Sequence, residues 1–205
     1  MASPISTLNL SKFEQQELLD DLNYLNMGEI KAFCGKHSIP YAIWIETELH
    51  GRRKTKEADR KGVILLRIRL YLKTGAIPEA TCFPASVVCF DEPAKNIKAT
   101  DRLFYGQYDK YSDAMIGLLK ELTGGKFKNG AAARILARDF WSKGIAPTFK
   151  DFATAWLVAN EEHTRPNPEW AFLSDRAKGA ETANWKQLRT MKARNVLNIL
   201  KRLKV

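Results

Sequence analysis

The sequence is poor in cysteine and histidine, and the few it has do not form the common metal or redox motifs. The 205 residues include three cysteines and three histidines, without a CxxC pair or an HExxH motif. An odd cysteine count argues against a disulfide framework. A GxSxG nucleophile motif is also missing. We therefore predict reduced thiols, no metal, no cofactor and no enzymatic activity.

Long apolar runs are missing too. Apolar stretches stay far below the about 20 residues that a membrane-spanning helix needs. Segment 1–16, MASPISTLNLSKFEQQ, lacks a charged region followed by an apolar run, so no secretory signal is predicted. These two absences predict a cytoplasmic protein without a membrane partner.

What the sequence has in excess is positive charge, which lies mostly in two segments. The formal net charge is +10. Segment 51–62, GRRKTKEADRKG, has six Lys and Arg against two acids, and segment 184–205 has seven with no acid. The remainder is close to neutral. Two basic surfaces on a neutral body indicate an acidic partner, either nucleic acid or an acidic protein.

Capping residues and apolar spacing predict a mostly helical chain. Helices are expected after Ser11, Asn26, Ser112, Asn129 and Thr148, and from about 55–60 to Lys73 and 182 to 203. Alternation around Ile43 and Ile45 predicts a short hairpin within 41–54, and residues 85–90 are a candidate strand. Because eight of the ten residues 63–72 are apolar, another part of the chain must cover that helix.

The second and third predicted helices resemble the SAP motif, a helix–extended loop–helix module of chromatin and DNA-repair proteins. Residues 25–34, with Glu-Ile-Lys at 29–31, resemble its first helix, and His37-Ser38-Ile39-Pro40 resembles its turn. The pair Arg60-Lys61, followed by Ile64, Arg67-Ile68 and Tyr71-Leu72, resembles its second helix. In SAP modules the start of that second helix and its basic residues contact DNA phosphates.

Later segments are similar to uncharacterised bacterial SAP-domain-containing proteins. The shared features are Gly-Gly-Lys-Phe-Lys-Asn at 124–129 and Pro-Thr-Phe at 147–149. The chain departs from the SAP pattern where Pro40 and Arg60 stand twenty positions apart, because the family joins its two helices within a few residues. Residues 41–59 are therefore an insertion, which carries Trp44 and most of the basic run.

These features predict a mainly α-helical fold with three parts. Residues 11–76 form a SAP-like region with the insertion at 41–59, residues 77–109 form an extended connector, and residues 110–205 form a C-terminal helical region. The SAP-like unit is expected to pack with the C-terminal helices.

The basic segment supplies the first candidate site. Its six candidates for phosphate contact are Arg52, Arg53, Lys54, Lys56, Arg60 and Lys61. Lys and Arg displace counterions from a duplex, and a helix N-terminus attracts anions. The alternative is a connector that is charged only to stay solvated beside a very apolar helix. Both interpretations stay open at this point.

Two further pairs of basic residues are candidates. Lys126 and Lys128 lie in a Gly-rich turn that lacks the GxxxxGK[ST] spacing of a nucleotide loop, so they extend a basic face at most. Arg194 and Lys201 lie away from the apolar side of the last helix, which is expected to dock on the core.

Together these observations predict non-catalytic nucleic-acid binding. Duplex DNA is favoured as the ligand, held through phosphates with little sequence specificity. The alternative is an adaptor that binds an acidic protein partner, with the SAP-like frame as a scaffold. An enzyme with an unrecognised site ranks last, because no residue cluster carries catalytic spacing.

Overall fold

The first helices begin at the capping residues that the sequence indicates. The computed structural model describes residues 3–92, 96–109, 111–180 and 182–203. Helix α1 spans Lys12–Asp21 and α2 spans Met27–Lys36. Both start with a complete capping box, Ser11 with Glu14 and Asn26 with Glu29. Each box satisfies backbone N–H groups that a helix start leaves without partners.

The insertion at 41–59 forms a β-hairpin. Strand β1 spans Ala42–Thr47 and β2 spans Gly51–Ala58, so the hairpin extends beyond the predicted 41–54. A third strand, β3 (Cys82–Phe83), pairs in parallel with β1, placing Trp44 opposite Cys82. The sheet order is β2-β1-β3. The fold therefore combines helices with a small mixed sheet, and the prediction of a mainly α-helical chain needs this correction.

Helix α3 is shorter at its start than the sequence predicts. It spans Lys61–Thr74 and ends at Gly75, whose φ of 75° is the left-handed conformation expected of a glycine cap. Residues 55–58, predicted to open the helix, are instead strand: the Thr55 hydroxyl donates to the Ile43 carbonyl at 2.8 Å. For residues 55–58, pairing with β1 is therefore more favourable than helix formation.

The described residues of the predicted connector, 77–92 and 96–109, contain β3. The candidate strand at 85–90 is wrong, because Ala85–Val87 forms a short 3₁₀ helix after Pro84. Val88 makes an isolated parallel bridge with Tyr105.

The later helices are α4 (Asp113–Leu122), α5 (Ala131–Ser142), α6 (Phe149–His163) and α7 (Trp185–Lys201). The side chains of Ser112 and Thr148 cap α4 and α6 as predicted. Asn129 does not cap α5, which begins after Gly130. The Asn129 side-chain oxygen instead accepts a hydrogen bond from the Tyr108 hydroxyl at 2.6 Å.

The chain divides into two compact units. Unit 1 comprises the described residues of Met1–Ala42, Ala58–Ala80 and Pro166–Val205, and unit 2 those of Ile43–Glu57 and Thr81–Arg165. The predicted parts 11–76, 77–109 and 110–205 do not coincide with these units. The reason lies in the packing, since Ala193, Val196 and Leu200 of α7 share a core with the N-terminal helices.

Each unit has its own core. In unit 1 one side of α3 is buried among α1, α2, α7 and the short helix Pro4–Leu8, through Ile64, Leu65, Ile68 and Leu72. Other parts of the chain therefore cover this side, as expected, while Leu66 and Leu70 stay exposed. In unit 2, Ile43 and Ile45 of β1 pack with Phe83 and with aromatic residues of α5 and α6, including Trp141 and Trp156. The hairpin thus contributes Ile43 and Ile45 of β1 to the core of unit 2, whereas the side chains of β2 are exposed or half-buried.

Candidate nucleic-acid interface

Strand β2 carries four of the ten predicted basic candidates at an edge of the sheet. Arg52, Arg53, Lys54 and Lys56 are all exposed. Side chains alternate between the two faces of a strand, so Arg52, Lys54 and Lys56 share one face. A strand with this composition cannot bury its residues, which is why it lies at the edge with cations in solvent.

Two of these arginines lie over aromatic rings. The Arg52 guanidinium is 5.4 Å from the centre of the Trp44 ring, and the Arg53 guanidinium is 5.1 Å from that of Phe90. A guanidinium stacked on a ring keeps N–H donors at its edge for other partners. The contacts limit the freedom of the side chains, so less entropy is lost when a ligand binds.

Both acids of the basic segment are paired with arginines from helices. Arg138 of α5 contacts Glu57 at 2.5 Å, and Arg67 of α3 contacts Asp59 at 2.6 Å. These carboxylates are therefore already matched by cations outside the segment.

The Asp59–Arg67 pair closes the base of the hairpin within unit 1. Its side chains are 7% and 9% exposed, respectively. Arg67 also donates to the Pro40 carbonyl at 3.0 Å, and the Asp59 N–H donates to the Tyr41 carbonyl at 2.9 Å. One arginine thus binds the chain where the insertion leaves unit 1 and where it returns.

Lys61, a predicted phosphate contact, is buried. It is 8% exposed, its ammonium donates to the Asn23 carbonyl at 2.5 Å, and it lies 4.1 Å from the centre of the Phe172 ring. Burial lowers the pKa of Lys61 to about 7, because desolvation disfavours the charged form. The ammonium is not on the surface, so we leave Lys61 out of the interface.

The start of α3 is occupied by a carboxylate of the same unit. The Gly62 N–H donates to the Glu169 carboxylate at 3.0 Å. A Cβ at position 62 would lie 1.8 Å from the other Glu169 oxygen, so glycine permits this close approach. The positive end of the helix, which the SAP resemblance assigns to phosphate, already holds an anion. Arg60 beside it is exposed.

The other predicted cations lie on separate elements. Lys126 and Lys128 are exposed in the turn between α4 and α5 of unit 2, where Gly124 and Gly125 have φ of 60° and 80°. Arg194 and Lys201 are exposed on α7 of unit 1 and line a depression of about 230 Å³ that also includes Glu29. The four exposed β2 cations, by contrast, lie on a single strand of unit 2.

Sequence reasoning missed a pocket in unit 2. It has a volume of about 420 Å³, and the residues that line it include Phe90, Tyr105, Tyr108, Tyr111, Trp141, Arg134 and Arg138. The signal that could have indicated it is the spacing of Arg134, Arg138 and Trp141, which places them along one side of α5. The aromatic residues of the connector carry no comparable spacing.

The described ranges contain neither a metal-binding cluster nor a helix suited to cross a membrane. No group of three or more His, Cys, Asp and Glu side chains there is arranged to hold a metal ion. Among the helices described above, none combines the length and the apolar character that crossing a bilayer requires.

Comparison with known proteins does not identify a function for this surface. Comparison of the chain with protein-family models, with curated protein sequences and with solved structures found no match. The resemblance to SAP modules therefore stays a prediction that rests on the residues quoted for it.

Proposed function

We propose that this protein binds nucleic acid, with duplex DNA as the favoured form, through phosphate contacts from β2. The observation that carries the proposal is the exposed row of Arg52, Arg53, Lys54 and Lys56, whose neighbouring acids are already held by arginines. A surface of this kind gains free energy by releasing counterions from the phosphate backbone.

The chemistry of the row favours phosphate contact without sequence readout. Lys and Arg reach phosphate oxygens with charge-assisted hydrogen bonds, and such contacts position a protein without identifying bases. The interface differs from the one that the SAP resemblance implies, because Glu169 holds the start of α3 and Lys61 is buried. Arg60 contributes at most one peripheral contact.

Fluorescence anisotropy with a labelled short duplex at low salt tests the proposal. The test variant combines Arg52→Gln, Lys54→Gln and Lys56→Gln, all on one face of β2. The matched control combines Lys120→Gln, Lys143→Gln and Lys150→Gln, which are exposed residues of the same unit and remove the same charge.

The β2 variant should bind the duplex much more weakly than the control, which should stay close to the unaltered protein. Equal losses in both variants would mean that only net charge matters, and they would refute a specific role for β2. No binding of the unaltered protein at low salt would reject the DNA proposal and favour an adaptor for an acidic protein. Circular dichroism of each variant checks that the fold is retained.

A further inference from the structure

The aromatic pocket of unit 2 lies beside strand β2. Arg53 of β2 lies over the ring of Phe90, which lines the pocket. Its volume of about 420 Å³ falls within the roughly 300–1,000 Å³ typical of small-ligand sites. Two rings at the pocket retain large exposed areas, 55% for Phe90 and 76% for Tyr111. Exposed aromatic area beside a cavity indicates a binding surface.

The inner wall of the pocket is fixed by ring packing. Tyr105 and Tyr108 contact Trp141 edge-to-face, with centroid distances of 5.5 Å and 6.0 Å. Gly106 between the two tyrosines has a φ of 98°, and a Cβ there would lie 2.2 Å from the Cys89 carbonyl oxygen. Only glycine allows the two backbone segments of the wall to approach this closely.

Most polar groups of the inner wall already have partners in unit 2. The hydroxyls of Tyr105 and Tyr108 donate to Glu57 and Asn129, and burial raises the pKa of each tyrosine to about 12. Arg138 contacts Glu57. The lining also contains Asp109, whose carboxylate accepts from the Tyr111 N–H at 2.9 Å. The wall therefore offers a ligand mainly ring surface, and the exposed Arg134 adds a cation.

We infer that this pocket takes one unpaired nucleobase of the nucleic acid whose phosphates β2 holds. The inference rests on the proposed function and adds a structural preference to it. A base presents π faces that stack on aromatic rings and is linked to phosphates that suit Arg134 and β2. Bases within a regular duplex are stacked and paired, so only an extruded or unpaired base can enter.

Three labelled DNA ligands test the inference: a perfect duplex, the same duplex with one unpaired bulged nucleotide, and the same duplex with an abasic bulge. The abasic ligand keeps the bend and flexibility of the bulge but lacks the base. We expect the bulged duplex to bind about tenfold more tightly than the abasic one, the order expected for stacking one base on aromatic side chains. The abasic ligand should bind about as well as the perfect duplex.

A variant with Tyr111→Ala and Arg134→Gln, both at exposed positions, should lose this tenfold preference while its circular dichroism stays unchanged. The control, Phe13→Ala with Arg165→Gln, removes a similarly exposed ring and cation elsewhere and should keep it. Equal affinity of the unaltered protein for bulged and abasic ligands overturns the inference, even if all three ligands bind through phosphates. Absence of binding to every ligand rejects the proposed function itself.

Discussion

The buried pair Asp59–Arg67 should contribute strongly to the stability of unit 1. In Asp59→Asn the Arg67 guanidinium, whose side chain is 9% exposed, loses the negative charge of Asp59, while its hydrogen bond to the Pro40 carbonyl remains. Removing one partner of a buried ion pair costs about 3–5 kcal/mol. For a chain of this size, that loss lowers the melting temperature by roughly 6–20 °C. The matched control is Glu79→Gln, an exposed acid of the same unit, with no expected shift.

A double-mutant cycle followed by thermal unfolding measures the pair itself. Arg67→Met leaves Asp59 buried without this cation, so it should also be costly. The combined variant should lose less free energy of unfolding than the sum of the two single variants, because neither charge is then left alone. A loss below about 1 kcal/mol of unfolding free energy in Asp59→Asn is typical of surface pairs and would refute a stabilising role for this buried ion pair. Strict additivity of the two single losses in the double variant would refute it as well.

Two further predictions concern other positions. In Lys61→Met, stability should depend less on pH between 7 and about 10. Burial lowers the pKa of Lys61 to about 7 from 10.5, so in this window the unfolded chain binds more protons than the folded protein. The unaltered protein therefore gains stability as the pH rises. Thermal melts across that range check this, and parallel curves for the two proteins would contradict it. Gly106→Ala should lose at least about 2 kcal/mol of unfolding free energy, because its φ is 98° and the added Cβ meets a backbone oxygen. Gly117→Ala, with open space around it in α4, should instead gain up to about 1 kcal/mol in urea denaturation.

The sequence predicts the helix starts well because capping is local. Ser11 and Asn26 act on backbone groups within three residues, and the same holds for Ser112 and Thr148. Asn129 is an exception that local sequence does not reveal. Its side-chain oxygen accepts a hydrogen bond from Tyr108, which is distant in sequence, and does not cap α5.

The rest of the fold depends on partners that are distant in sequence. Strand β2 contains no alternation of apolar residues, and its structure comes from pairing with β1. The burial of Lys61 depends on the Asn23 carbonyl and the Phe172 ring. Neither contact is visible as a local pattern around Arg60-Lys61, so a basic pair at a helix start was predicted to be exposed.

The sequence indicates which residues of the candidate interface are basic but not the element on which they lie. Four of the six candidates in segment 51–62 lie on one exposed strand, whereas the sequence pattern had placed some of them in a helix start. The pairing of Glu57 and Asp59 with Arg138 and Arg67 requires the tertiary structure. Those two contacts give both acids of the segment arginine partners from outside it.

The salt dependence of duplex binding tests the central claim most directly. If Arg52, Lys54 and Lys56 each neutralise one phosphate, replacing all three by Gln should reduce the slope of log affinity against log salt concentration by about 2.7. The Lys120, Lys143 and Lys150 control should change that slope by less than about one unit. An unchanged slope in the β2 variant would contradict the assignment of the phosphate contacts to this strand.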